Sequence, residues 1–189
     1  MSQTFHIGNT RIDPPLILAP MAGITDQYFR RILKRIGGVG LVSMEFISSE
    51  ALTRGSERTR SMMHFHEDER PLAIQIYGSD AARMSDAASY VQELGADIVD
   101  INMGCPANKI LKGCAGAALM GDLRLAESII RACRDRLRIP LTVKFRLGLD
   151  DGRCNYLDLG KACEASGADA VALHARTARQ MLSGKADWH

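Results

Sequence analysis

Six short apolar runs, beginning near residues 16, 40, 72, 98, 141 and 170, constrain this chain more than any other feature. They are Leu16-Ile17-Leu18-Ala19, Val39-Gly40-Leu41-Val42-Ser43, Leu72-Ala73-Ile74-Gln75-Ile76, Ile98-Val99 leading into Asp100-Ile101-Asn102, Leu141-Thr142-Val143-Lys144-Phe145-Arg146, and Ala170-Val171-Ala172-Leu173-His174. Apolar residues in succession mark strands buried on both faces. A helix-length segment separates each run from the next, and this alternation dictates right-handed βα units around a parallel sheet. Gly95-Ala96-Asp97 and Gly167-Ala168-Asp169 enter two of the runs with the same three residues, as a repeated unit does.

The intervening segments carry helix signals. Thr25 or Asp26 can cap a helix with Phe29, Ile32, Leu33 and Ile36 at helical spacing, ended by Gly37-Gly38. Asp80 caps one with Met84, Ala87, Ala88, Val91 and Leu94 on one face, and Asp122 one with Ala126, Ile129, Ile130, Cys133 and Leu137. A further helix falls at 156–166, and a short one fits within the basic stretch 54–70. The rows Arg30, Arg31, Lys34, Arg35 and Arg131, Arg134, Arg136, Arg138 read as solvated helix faces.

A chain of 189 residues, 46% hydrophobic and 24% charged, supports one globular domain spanning 1–189. No Gly-x-Gly-x-x-Gly follows the first strand, which disfavours a dinucleotide-binding sheet. The alternation fits a (β/α)8 TIM barrel, a fold of about 250 residues, so the six strands make an incomplete barrel of about six of eight βα units. A flavodoxin-like sheet, complete at this length, is the structural alternative. No apolar run approaches a membrane span, and residues 1–10 lack a basic start before an apolar core, so a cytoplasmic protein is expected. The five cysteines lack paired spacing and suggest neither a disulfide framework nor a zinc site. Cys133 and Cys163 read as core residues. No metal is expected, since His64 and His66 have no cysteine partner. A net charge of +2 leaves nucleic acid open.

In a parallel α/β fold the chemistry lies at the carboxyl ends of the strands. Those ends present the Pro20-Met21-Ala22 turn, Glu45, Gln75, Asn102 with Cys105, Lys144 with Arg146, and His174 with Arg176. Lys144 and Arg146 share one face of an extended segment, as do His174 and Arg176. A lysine embedded in an apolar run is costly unless it meets an anion or polar ligand. With no paired carboxylates, glycoside-type hydrolysis is unsupported, and no Gly-x-Ser-x-Gly elbow is present. A redox cofactor suits the set. A reduced flavin carries negative charge that a fixed lysine stabilises, a glutamine amide matches its pyrimidine edge, and a loop cysteine can protonate a carbon after hydride arrives.

Four segments carry a family resemblance: Ala19-Pro20-Met21-Ala22-Gly23-Ile24-Thr25-Asp26, Asp100-Ile101-Asn102-Met103-Gly104-Cys105-Pro106-Ala107-Asn108-Lys109, Val143-Lys144-Phe145-Arg146-Leu147-Gly148 and His174-Ala175-Arg176-Thr177. In this order and spacing the chain resembles the tRNA-dihydrouridine synthases, closest to the bacterial B-type branch. The resemblance implies an FMN-dependent barrel enzyme, monomeric at full length, that reduces uridine in tRNA, with NADPH reducing the flavin. It implies Cys105 as proton donor, Pro20, Met21, Ala22, Gln75, Lys144 and His174 as FMN contacts, and Asn102 as the uracil contact. Arg146 and Arg176 then line the pocket toward uracil or phosphate, and Lys109 and Lys112 reach the RNA backbone. Two positions depart from the pattern: Met44 stands where serine is frequent, and Ala178 precedes Arg179 where an arginine directly follows the threonine. The family's last two strands, which hold the FMN phosphate, and its C-terminal helical domain have no counterpart in these residues. Two other readings stand beside this one. One is a flavin barrel acting on a free pyrimidine or small enone; the other is an inactive RNA-binding fragment.

Overall fold

A computed structural model describes residues 4–187. Residues 1–3, part of the stretch inspected for a secretory signal, and residues 188–189 lie outside the described residues. The chain opens with a hairpin that the apolar runs did not announce. β1 (Phe5–Ile7) and β2 (Thr10–Ile12) pair antiparallel, with Phe5 opposite Ile12 and Ile7 opposite Thr10. There follow β3 (Ile17–Leu18), α1 (Gln27–Ile36), β4 (Leu41–Ser48), α2 (Ser49–Thr53), α3 (Glu57–Met62), β5 (Leu72–Tyr77), α4 (Ala81–Glu93), β6 (Ile98–Met103), α5 (Asn108–Leu111), α6 (Leu123–Arg136), β7 (Leu141–Arg146), α7 (Tyr156–Ala165) and β8 (Ala170–His174). The side chains of Asp26, Asp80 and Asp122 accept from Phe29 N, Arg83 N and Leu125 N and cap α1, α4 and α6.

β3 to β8 form one parallel sheet in unbroken chain order. A doubly wound sheet reverses its order at a switch point. Sequential parallel order is that of a (β/α)8 barrel, and the chain supplies six of its strands.

Alternation along the strands divides the molecule into two faces. Outward residues Leu72, Ile74 and Ile76 of β5, Val99, Ile101 and Met103 of β6, and Leu141, Val143 and Phe145 of β7 form the main core with Met84, Ala87, Val91, Ile129, Ile130 and Cys133 of the helices. The inward residues make a graded surface. At the amino ends of the strands Leu41, Ala73 and Ile98 pack with the hairpin's Ile7 and Ile12, so the hairpin closes that end with apolar contact. Toward the carboxyl ends the same face becomes polar through Gln75, Asp100, Asn102, Thr142, Lys144 and Arg146.

Two readings of the helices need correction. Arg30 is buried: its Nε donates to Glu69 Oε2 at 2.6 Å and its Nη1 to Thr25 O at 2.7 Å. A guanidinium leaves water only where a partner waits, and Glu69 is 39 residues away in sequence. Arg134 is likewise no solvated residue, since it binds Asp169 and the carbonyls of Leu137 and Ile139. Conversely, Ile32 and Ile36 of the expected apolar stripe on α1 are exposed. α1 packs on β4 and on the turn at Glu67–Glu69, and nothing among the described residues covers these two side chains. Among the described residues no helix is long and apolar enough to cross a membrane.

Candidate active site

Strand register brings most of the expected residues to one place. Gln75 of β5 lies opposite Asp100 of β6, Asn102 opposite Lys144 of β7, and Arg146 opposite His174 of β8. Each is followed by a loop at the carboxyl end of its strand, and the cysteine loop is tethered from both its N–H and its carbonyl side. Asn102 Oδ1 accepts from Gly104 N at 3.1 Å and from Cys105 N at 2.9 Å. Arg146 Nε donates to Gly104 O at 2.9 Å, and Ala117 N to Cys105 O at 3.0 Å. Gly116 (φ 60°) sits so close under the loop that a Cβ there would meet Cys105 O at 2.7 Å, an approach only glycine permits. Cys105 itself is half-buried with a free thiol.

Behind the loop lies a buried polar network. Asn102 Nδ2 donates to Gln75 Oε1 at 2.8 Å, Gln75 Nε2 donates to Asp100 Oδ2, and Thr142 Oγ1 donates to Asp100 Oδ1 at 2.6 Å. Burial holds the Asp100 carboxyl above its usual range, against the pull of the Thr142 and Gln75 hydrogen bonds and of Lys144. Asp100 and Thr142 are the residues the strand-end reading passed over. The available signal was spacing: an acid two residues before Asn102, and a hydroxyl two before Lys144, share the inward face of their strands.

The ends of β7 and β8 are electrostatically different. Lys144 is half-buried and makes no hydrogen bond or ion pair among the described residues. Desolvation lowers its pKa, Asp100 opposes this, and Arg146 adds to it. Arg146 is buried and spends its donors on backbone carbonyls, Gly104, Thr177 and Met181. Among the described residues no carboxylate pairs with it. Arg176 Nη1 donates to Leu182 O, and its buried Nε has no partner. His174 stands among these cations. Burial first, and then Arg146, Lys144 and Arg176, push its pKa down to about 4, so the imidazole is neutral near pH 7. The arrangement is a concave surface with an excess of positive charge, a neutral imidazole and a thiol within the same field. It can hold an anion and place it beside a proton source.

The remaining expected residues lie at the margins. Pro20, Met21 and Ala22 form the turn after β3. Met21 O accepts from Ile24 N and Thr25 N, and the carboxylate of Glu45, which lies within β4 at its register shift and not at the strand end, accepts from Gly23 N at 2.9 Å. This turn shares no hydrogen bond with the cationic residues. Lys109 on α5 and Lys112 just after it are exposed on the rim and unpaired among the described residues. Lys109 lines a cavity of about 260 Å³ with Ser48, Tyr77, Ser79 and Arg83. Among the described residues no group of three or more His, Cys, Asp or Glu gathers as a metal site would require.

The chain is similar in sequence and in fold to known proteins. The family profile described as "Dihydrouridine synthase (Dus)" matches residues 17–189. A probable tRNA-dihydrouridine synthase of Rhodobacter capsulatus is 42% identical over 191 residues, which cover 98% of this chain and 57% of that protein. A tRNA-dihydrouridine synthase B of Pseudomonas syringae pv. tomato is 41% identical over 183 residues, covering 97% and 54%. The chain thus spans about half the length of the curated relatives it matches. Among solved structures, histamine dehydrogenase from Rhizobium sp. 4-9 superposes with a TM-score of 0.61 at 11% identity, covering 92% of this chain and 36% of that one. A mandelate oxidase gives 0.55 at 14% identity, covering 98% and 54%. At such identities the likeness concerns the fold.

Proposed function

The chain belongs to the dihydrouridine synthase family, and from that premise we propose that residues 1–189 are the N-terminal part of an FMN-binding barrel domain that reduces uridine to 5,6-dihydrouridine in tRNA, in the cytoplasm. One observation carries the reading: Lys144, Arg146 and Arg176 converge beside the neutral His174 at the carboxyl ends of β7 and β8, none of them ion-paired among the described residues and only the buried Asp100 acting on Lys144, and Cys105 lies in their field. Burying uncompensated cations costs several kcal/mol each unless an anion arrives, and a flavin mononucleotide bears both a phosphate and a ring whose reduced form is anionic.

The donor set fits that group. Lys144, with no internal partner, would face the reduced ring, His174 would contact the cofactor as a neutral imidazole, and Gln75 and the Pro20-Met21-Ala22 turn would border it. When bound, the flavin supplies hydride chemistry, with NADPH as the source of electrons. Asn102 holds the uracil by hydrogen bonding at the base of the cysteine loop. Cys105 Sγ–H delivers the proton to C5 of the uracil ring, leaving a thiolate. Arg146 and Arg176 border the pocket, and Lys109 and Lys112 meet the RNA backbone at the rim. The target uridine must leave its stack to enter a concave site of this kind.

The test uses the full-length protein with NADPH and unmodified tRNA. Dihydrouridine accumulates in the tRNA, and Cys105→Ala slows its formation by about 10²–10⁴-fold, the value of a general acid, with the flavin still bound. A Cys105→Ala variant at the native rate removes the assigned acid. A protein without flavin removes the reading, and reduction of free uracil in preference to tRNA changes the substrate class.

A further inference from the structure

Asp100 takes no part in the steps just described, yet it stands at the head of a directional chain of hydrogen bonds. Its two oxygens accept from Thr142 Oγ1 and from Gln75 Nε2. Gln75 Oε1 accepts from Asn102 Nδ2, and Asn102 Oδ1 accepts from the backbone N–H groups of Gly104 and Cys105. Gln75, Asp100 and Asn102 are all buried, so each polar end must be satisfied within the protein. A primary amide has one donor end and one acceptor end, whereas an ionised carboxylate only accepts. The carboxylate therefore decides which way Gln75 points, and Gln75 decides which way Asn102 points. Only the oxygen end of Asn102 can serve two N–H groups. Reversing Asn102 would set its donors against those of the cysteine loop, and reversing Gln75 would set its donors against Asn102 Nδ2 and its oxygen against Asp100.

We propose, resting on the reading of Cys105 as proton donor, that Asp100 is a positioning residue: it sets the polarity of the Gln75–Asn102 amide chain and through it holds the backbone of Cys105 in place. Arg146 and Ala117 hold the loop by its carbonyls. The N–H side of the loop, at Gly104 and Cys105, is held by Asn102.

The test moves the carboxylate along the chain. Gln75→Glu inserts a second acceptor-only group between Asp100 and Asn102 and opposes two carboxylates. Adding Asp100→Asn restores both the net charge and every donor–acceptor match. The introduced asparagine donates to the introduced glutamate and accepts from Thr142, and the glutamate accepts from Asn102. The readout is alkylation of Cys105 by iodoacetamide in the full chain, quantified by mass spectrometry against the exposed Cys154, with no flavin or tRNA present. Gln75→Glu raises the Cys105-to-Cys154 ratio about tenfold, and the double variant returns it to within about twofold of the native protein, a coupling within the range for groups in one hydrogen-bond network. Equal ratios in the single and double variants overturn the proposal.

If Gln75→Glu does not fold, recovery of folding in the double variant supports the proposal and continued failure overturns it. Amide exchange in the native protein gives a check without substitutions: Gly104 and Cys105 N–H exchange slowly, and rapid exchange at both overturns the assignment. Neither readout depends on uridine reduction. A protein inactive on tRNA that shows the coupling loses only the functional reading, and an active reductase without the coupling loses only this one.

Discussion

β6 and β8 are entered by the same three residues and reach different ends. Gly95 and Gly167 both adopt φ 91°. Ala96 N and Ala168 N bond back to Val91 O and Cys163 O of the preceding helices. Asp97 and Asp169 each pair with the first residue of the preceding strand: their backbone N–H groups donate to Leu72 O and Leu141 O, and their carboxylates accept Leu72 N and Leu141 N, both at 2.8 Å. Each carboxylate also holds an arginine, Arg70 at 3.0 Å and Arg134 at 2.9 Å. Past these matched turns β6 is buried at every residue, while Val171 and Leu173 of β8 are exposed. The turn follows from the residues that form it. The burial of the strand follows from whether a neighbour lies on both sides, and β8 is paired on one side only, to β7.

The largest expected effect separates the two strands. Ile101→Ala removes a fully buried side chain from the core between sheet and helices and costs about 2–5 kcal/mol. Leu173→Ala on β8, where the native side chain is 42% exposed, costs about 1 kcal/mol or less, because much of the transfer free energy was never gained. Denaturant midpoints of the two variants check this. Equal losses would mean that β8 is covered in solution by something these residues do not supply.

The same contrast explains what the sequence made legible. The six parallel strands and the caps at Asp26, Asp80 and Asp122 were readable, because period, capping and strand order are set by residues near one another. The cationic strand ends were readable too, since Lys144 and Arg146 are conspicuous in an apolar run. What escaped depends on distant partners. Arg30 is buried because of Glu69, and the role of Asp100 appears only when Gln75 and Thr142 are laid beside it by sheet register. The hairpin escaped because its strands are three residues long, and only Ile7 and Ile12 reveal that it plugs the barrel floor. Arg146 was expected to reach ligand; its bonds to three backbone carbonyls come from loops 31 and more residues away in sequence.

Within the matched turns, substitution should expose a smaller asymmetry. Both glycines occupy the left-handed region, where an alanine is strained by about 1–2 kcal/mol. A Cβ at Gly167 would also meet Arg134 Cγ at 2.9 Å, whereas at Gly95 the nearest atom is Arg70 Nη2 at 3.6 Å. Gly167→Ala therefore costs more than Gly95→Ala, and thermal unfolding of the two variants ranks them. Asp97→Ala and Asp169→Ala, which lose equivalent bonds, should cost the same, about 1 kcal/mol each. A clear difference between these two would show that the turns are alike in geometry but not in energy.

The smallest expected effect is a titration in which β6 and β8 oppose each other. His174 is neutral in the folded protein until the pH falls to about 4, against an ordinary value of 6.5. Between those values the unfolded chain binds a proton that the folded chain refuses, so stability is fully present above 6.5 and declines as the pH falls through this window. Asp100 on β6 has the reverse sign. Only between the ordinary value of 3.8 and its raised pKa does the folded chain hold a proton the unfolded chain has released, so its contribution declines as the pH rises through that window, above which the carboxylate is ionised. His174→Gln removes only the first term, and its urea midpoint should fall less than that of the native protein between pH 6.5 and about 4. A variant whose midpoint falls as steeply as the native one would mean that the imidazole is not held against Lys144, Arg146 and Arg176. The half-exposed end of β8 would then contribute no electrostatic strain for an anionic ligand to relieve.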